Sequence, residues 1–240
     1  MQKNEFRQIN LCNVTVHDLT LTEAVDEALR ERGAPCFVVT PNALMLDACQ
    51  HDPATASLLN AATISLPDGA GVLLAAKKQK TPLRKRVAGI DFGEALLMRA
   101  EKEGLRVFLL GGKEGVAAAA AERLTCRFPH LLIAGTYWGY FDRDGEDDRM
   151  LCSVIQATRA DILLVCLGFP MQERWILSHL YQLKNVRVVA GLGGSLDIWS
   201  GSLRRAPAIL SQVGLEWAWR MMLEPKRLKT LPAMIRFMVK

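Results

Sequence analysis

The 240-residue sequence has no closely spaced cysteines, no long apolar run and no metal-ligand spacing among its histidines. Its six cysteines (Cys12, Cys36, Cys49, Cys126, Cys152, Cys166) are scattered and form no CxxC. Several sit inside apolar runs such as CFVVT and ILLVCLG, where a thiol acts as a small core residue. This argues against a disulfide scaffold and for a reducing, cytoplasmic setting. The four histidines (His17, His51, His130, His179) are too dispersed for a zinc site to be expected. The opening stretch MQKNEFRQIN has no apolar core, which argues against a signal peptide. No apolar stretch reaches the roughly 18 residues that a spanning helix needs. Neither GxGxxG nor the phosphate loop GxxxxGKS/T occurs, which weakens the dinucleotide and P-loop readings. There is no internal repeat, low-complexity tract or linker.

What is present is ordinary in bulk: half the residues are hydrophobic and 23% are charged, as in a soluble globular domain. The charge is unevenly placed. Residues 203–240 carry eight Lys or Arg against Glu216 and Glu224, a net +6, so the whole-chain +5 leaves about −1 for residues 1–202. Any anionic partner therefore belongs to the tail. Strand-like runs recur at 36–40, 62–66, 106–111, 131–137, 161–168 and 186–193. Helical stretches are predicted at 22–32, 43–51, 70–80, 91–104, 114–127, 144–158 and 171–182. Strands that are apolar throughout and alternate with helices predict an α/β, Rossmann-like, mainly parallel sheet covered on both faces. The expected organisation is one α/β domain over 1–202 and a basic helical appendage over 203–240.

In open α/β sheets, ligands sit beyond the carboxyl ends of the strands. Those ends read Thr40-Pro41-Asn42, Pro67-Asp68-Gly69, Gly111-Gly112-Lys113, GFPMQE over 168–173 with Gln172 and Glu173, and Gly193-Gly194-Ser195 with Asp197 close behind. Glycine permits close approach to a ligand, and helix N-termini offer N–H donors to phosphate. Asp68 has two readings at this point: a reacting group held by rigid structure, or a cap on the helix beginning near Gly69. Thr40 and Asn42 share that ambiguity. The DxD of Asp142-Arg143-Asp144 looks like the metal clamp of sugar transferases, but it lies in a run of solvated acids, and no metal role is expected.

In the tail, Leu215, Trp219, Met222 and Leu223 fall on one helical side, with Arg220, Glu224 and Arg227 largely on another. Basic helices with interfacial tryptophans suit an anionic membrane surface. The plainer reading is a C-terminal helix packing its apolar side on the core. Nucleic acid is not expected as a partner, since the body is not basic and no recognition motif occurs.

An ordered series of motifs carries a family resemblance over residues 9 to 230: Thr40-Pro41-Asn42, Pro67-Asp68-Gly69, RVAGID from Arg86, FLLGG over 108–112, Gly139-Tyr140-Phe141, GFPMQE, RRAP over 204–207, GLEWAWR over 214–220 and EPKR over 224–227. The sequence resembles the WecG/TagA/CpsF glycosyltransferases, glycosyltransferase family 26. One departure is Met171, where the family commonly has lysine. The resemblance implies inverting, metal-independent and cofactor-free transfer of an N-acetylmannosamine-type sugar. It would pass from a UDP carrier to polyprenyl-diphosphate-linked N-acetylglucosamine, in teichoic acid-like glycan assembly at the inner membrane face. It implies Asp68 as general base, Thr40, Asn42 and Gln172 in the pocket, and tail arginines at the diphosphates. Arg204, Arg205, Arg220 and Arg227 are the candidates, since arginine binds phosphate bidentately. Arg86, Gly111, Gly112, Glu173 and Asp197 complete the candidate binding set. A homo-oligomer, in which one tail completes a neighbour's site, stays open. The rivals from other classes are a nucleotide-binding membrane adaptor without turnover and a nicotinamide-dependent oxidoreductase.

Overall fold

A computed structural model describes residues 6–143, 145–207, 209–210 and 215–239, the last without the side chains of 225–227, 238 and 239. Six strands form one parallel sheet in the order β4-β3-β8-β7-β5-β6: β3 (Cys36–Val39), β4 (Ile64–Ser65), β5 (Arg106–Gly111), β6 (Leu132–Tyr137), β7 (Ile162–Cys166) and β8 (Val188–Gly191). The expected doubly covered sheet is therefore observed. Its central strands are buried along their whole length.

The two-residue period of a strand divides that sheet between two cores. Cys36, Val38, Val107, Leu109, Ile162, Leu164, Val188 and Ala190 point to one face. There they meet α1 (Leu21–Leu29), α5 (Gly89–Glu103), α6 (Val116–Arg127) and the short α9 (Ser195–Trp199). Phe37, Val39, Phe108, Leu110, Leu163, Val165 and Val189 point to the other. Their partners are α2 (Ala43–His51), α3 (Pro53–Asn60), α4 (Ala70–Lys78), α7 (Glu146–Ala157) and α8 (Met171–His179). Four of the six cysteines (Cys36, Cys49, Cys152, Cys166) are buried free thiols, and burial pushes each up to about 12.

Three elements were not anticipated. The N-terminal stretch forms an antiparallel hairpin, β1 (Gln8–Leu11) and β2 (Val14–His17), turned by Cys12 and Asn13 at φ 54° and 66°. Helix α3 starts at Asp52-Pro53, a cap and first-turn proline whose signal was legible. α9 is only five residues long. The hairpin covers the β4 edge, where Nδ1 of His17 accepts the Ser65 N–H at 3.1 Å.

Beyond residue 203 the chain forms α10 (Glu216–Leu223), a 3-10 turn (Pro225–Thr230) and α11 (Leu231–Val239). α11 lies on α2 and α4, burying Met234 and Phe237. Arg236 Nη2 donates to Asp47 on α2 at 2.5 Å. Among the described residues no helix is long and apolar enough to cross a membrane.

Candidate active site

Asp68 is delivered by β4 and a proline turn, with its own N–H donating to the Pro41 carbonyl at 3.0 Å. The helix that follows is capped by Gly69 at φ 99° without any side-chain cap. The carboxylate instead accepts the Gly89 N–H at the start of α5. Capping of its own helix, one of the two readings of Asp68, is not what the side chain does. Burial pushes its carboxyl up to about 6, helped by the negative charge of Glu216 and opposed by the Gly89 N–H, Arg86 and Arg220.

A cavity of about 140 Å³ opens onto that carboxyl, walled by Asn42, Arg86, Glu216, Trp217, Arg220 and Met234 among others. The body supplies one wall and the tail the other. Residues 216, 217, 220 and 221 all line it, as one helical face should. The apolar side read from the sequence is largely turned outward, with Met222 76% exposed and Leu215 42%, whereas Met221 is buried; core packing of that side, one of its two readings, is not observed. Trp219 turns aside, its indole N–H donating to the Arg204 carbonyl at 3.2 Å.

A second, larger cleft of about 650 Å³ lies over the ends of β5, β7 and β8, within the range of small-ligand sites. Gly112, Lys113, Gly139, Gly193, Gly194 and Asp197 line it. Gly111 and Gly112 sit at φ 136° and 72°. A side chain on Gly111 would overlap the Cys166 carbonyl, so close packing against β7 already requires glycine there. Arg220 of the first cavity reaches toward the second, its Nη2 lying 2.8 Å from where a Cβ on Gly194 would stand.

The remaining expected site residues separate into holders and others. Thr40 is buried against Gly89, where an added Cβ would come within 2.8 Å of its Oγ1. It thus supports the turn that presents the Asp68-binding amide. Asn42 lines the cavity but commits its Oδ1 to the Leu44 and Met45 amides at 3.0 and 3.2 Å. Gln172 accepts the Gly193 N–H at 3.0 Å and donates to Glu173 at 2.8 Å. Glu173 is fully buried, and burial pushes its carboxyl up to about 7. Neither lines the two cavities; together they brace the Gly193 loop. Arg205 pairs with Asp91 and Glu94 on α5. Arg204 lines neither cavity. The Arg227 side chain and Asp144 lie outside the described residues.

Glu216 and Trp217 were missed as cavity residues, and Lys113, read at a strand end, was left out of the binding set. For the first two the signal was available: they share a helical face with Arg220 and Met221.

A parallel α/β sheet with a carboxylate and two arginines over its carboxyl edge defines a class of ligand-binding α/β proteins, and comparison with known proteins gives the family. The model of the glycosyl transferase WecG/TagA/CpsF family matches residues 9–240, and the chain belongs to that family. It is similar to the N-acetylglucosaminyldiphosphoundecaprenol N-acetyl-beta-D-mannosaminyltransferase of Staphylococcus aureus (strain MRSA252), 34% identical over 85% of this chain and 78% of the relative. It is similar also to the protein of that name from Bacillus spizizenii (strain ATCC 23059 / NRRL B-14472 / W23), 37% identical over 80% and 72% of the two chains.

Proposed function

We propose that this glycosyltransferase moves N-acetylmannosamine, or a closely related sugar, from a UDP carrier to polyprenyl-diphosphate-linked N-acetylglucosamine, inverting the anomeric centre without a metal. Asp68 is the general base. It takes the proton from the acceptor hydroxyl as that oxygen attacks the anomeric carbon and UDP departs. The single observation that supports this most is the Asp68 carboxyl, free of its own helix, raised to about 6 and facing a cavity walled by Arg86 and Arg220. A base near the working pH combines the right protonation state with useful proton affinity, a contribution of about 10²–10⁴-fold. The arginines offset the charge growing on the leaving diphosphate. The 650 Å³ cleft lined by Gly112, Lys113 and Gly193 suits the nucleotide, with Arg220 between nucleotide and base.

The relatives' names specify a polyprenyl-diphosphate acceptor. A lipid-borne acceptor requires access from a membrane surface. We assign that access to residues 203–240, the basic appendage of the catalytic body at 1–202, and place the protein peripherally at the inner membrane face.

The test is a panel of UDP-sugars with a soluble lipid-diphosphate-GlcNAc analogue in EDTA, read by mass spectrometry for the added sugar and by NMR for the anomeric configuration. A single N-acetylhexosamine added to the acceptor, with inverted configuration, is expected. UDP release without transfer, or transfer only on adding a divalent metal, would overturn the mechanism. Nucleotide binding with no turnover would favour the adaptor.

A further inference from the structure

Arg86 comes from the loop ahead of α5, and Glu216 is the first residue of α10. Nη1 of Arg86 lies 3.1 Å from Oε2 of Glu216, and the two side chains are 19% and 21% exposed. The pair is thus neither sealed nor fully hydrated. Both residues wall the Asp68 cavity, alongside Arg220. A carboxylate is the side-chain group nearest to phosphate in charge, and a guanidinium fork receives either one. An arginine already holding a carboxylate must release or share it when a phosphate arrives.

We propose that Glu216 is a resident stand-in for phosphate on Arg86, displaced when a diphosphate substrate enters the Asp68 cavity. This rests on the reading of the cavity as a diphosphate site given above. In the empty site the pair keeps Arg86 oriented and pins the first turn of α10 over the pocket. In the filled site the substrate takes the guanidinium, and the start of α10 is released from the body. Substrate binding and the position of the tail are thereby coupled through one side chain, since a ligand shifts a conformational equilibrium only by what it contacts differently in the two states.

The charged groups acting on Asp68 are Glu216, Arg86 and Arg220. Of these, Glu216 alone favours the protonated acid, so its removal should also lower the acid limb of kcat/KM, which reports the free enzyme.

The experiment is calorimetric titration of the full chain with methylenediphosphonate, for wild type, Glu216→Gln, Arg86→Gln and the double variant. Glu216→Gln should bind roughly 2–5-fold more tightly, the upper part of the range for losing a partly exposed ion-pair competitor. Arg86→Gln should bind more weakly, and adding Glu216→Gln to it should change affinity by less than about twofold. The acid limb of Glu216→Gln should shift downward. Unchanged or weaker binding by Glu216→Gln, with Arg86→Gln still impaired, would overturn displacement and make Glu216 a fixed partner of Arg86. Wild-type affinity in Arg86→Gln would overturn the diphosphate reading itself, a separate failure. Should Glu216→Gln misfold, Glu216→Ala repeats the comparison.

Discussion

Along β3, β7 and β8 every residue is buried, whereas α10, with six apolar residues among its eight, buries Met221 alone. Around it Leu215, Met222, Leu223 and Leu228 are 42%, 76%, 39% and 54% exposed. The body uses its apolar residues to close two cores around a sheet. The tail leaves many of its own on the surface, beside Arg and Lys, while α11 anchors its far end through Met234, Phe237 and the Arg236–Asp47 pair. One wall of the Asp68 cavity is therefore fixed by the sheet and the other by a helix that is only partly seated. The difference teaches that the carboxylate is held by a fully packed framework, while the residues facing it across the cavity ride on a helix with much of its apolar surface open.

The largest test acts on the fixed wall. Asp68→Asn keeps the shape and an oxygen to accept the Gly89 N–H, so folding should be intact and turnover should fall by about 10²–10⁴-fold. In the wild type kcat/KM should rise with pH through about 6, as the carboxyl ionises. Near-normal turnover in Asp68→Asn would remove the base from the mechanism. The second test probes the brace behind the cleft. Glu173 carries a carboxyl raised from 4.5 to about 7, so the folded state holds its proton more tightly than the unfolded one does. Its contribution is fully present below about pH 4.5 and is lost as pH rises through about 7. The loss amounts to a few kcal/mol, at about 1.4 kcal/mol per unit. Glu173→Gln should flatten that part of the stability–pH curve in urea titrations while keeping the Gln172 contact. An unchanged slope would show that Glu173 is ionised in the fold.

Much of the body was legible because a strand buried on both faces must be apolar at every position, and β5 was read with its observed bounds, Arg106–Gly111. The hairpin escaped because its turn is Cys12-Asn13 rather than the glycine-containing pairs that announce left-handed turns. At the site, the sequence offered Asp68 from its place beyond a strand and Arg86 and Arg220 through the family motifs, and all three line one cavity. It did not separate ligand-facing groups from their supports. Thr40 and Gln172 are polar residues at strand ends, yet Thr40 packs on Gly89 and donates to the Gly191 carbonyl while Gln172 accepts the Gly193 N–H, and pairings between distant loops leave no local pattern. The Arg86–Glu216 pair was invisible for the same reason. For α10, apolar periodicity marked the side that avoids water but left open whether that side meets lipid or the body; the side turned to the Asp68 cavity carries Glu216, Trp217, Arg220 and Met221.

The smallest expected effect concerns the loosely seated wall. If the exposed apolar stripe and the nearby cations face anionic lipid, binding to vesicles should depend on both. Met222→Ser with Leu228→Ser trims apolar groups; with the equivalent of about two methylenes seated in the interface at about 0.8 kcal/mol each, affinity for phosphatidylglycerol vesicles should fall roughly tenfold. Lys229→Gln removes one cation and should cost about fivefold, corresponding to about 1 kcal/mol for a single charge near such a surface. That smaller loss should disappear at high salt, where surface charge is screened, while the apolar loss persists. None of these three residues lines the Asp68 cavity, so transfer to a soluble acceptor should be unaffected. Vesicle binding indifferent to all three substitutions would mean that the stripe faces something other than lipid. Loss of transfer to the soluble acceptor would place these residues in the seating of α10 rather than at a membrane.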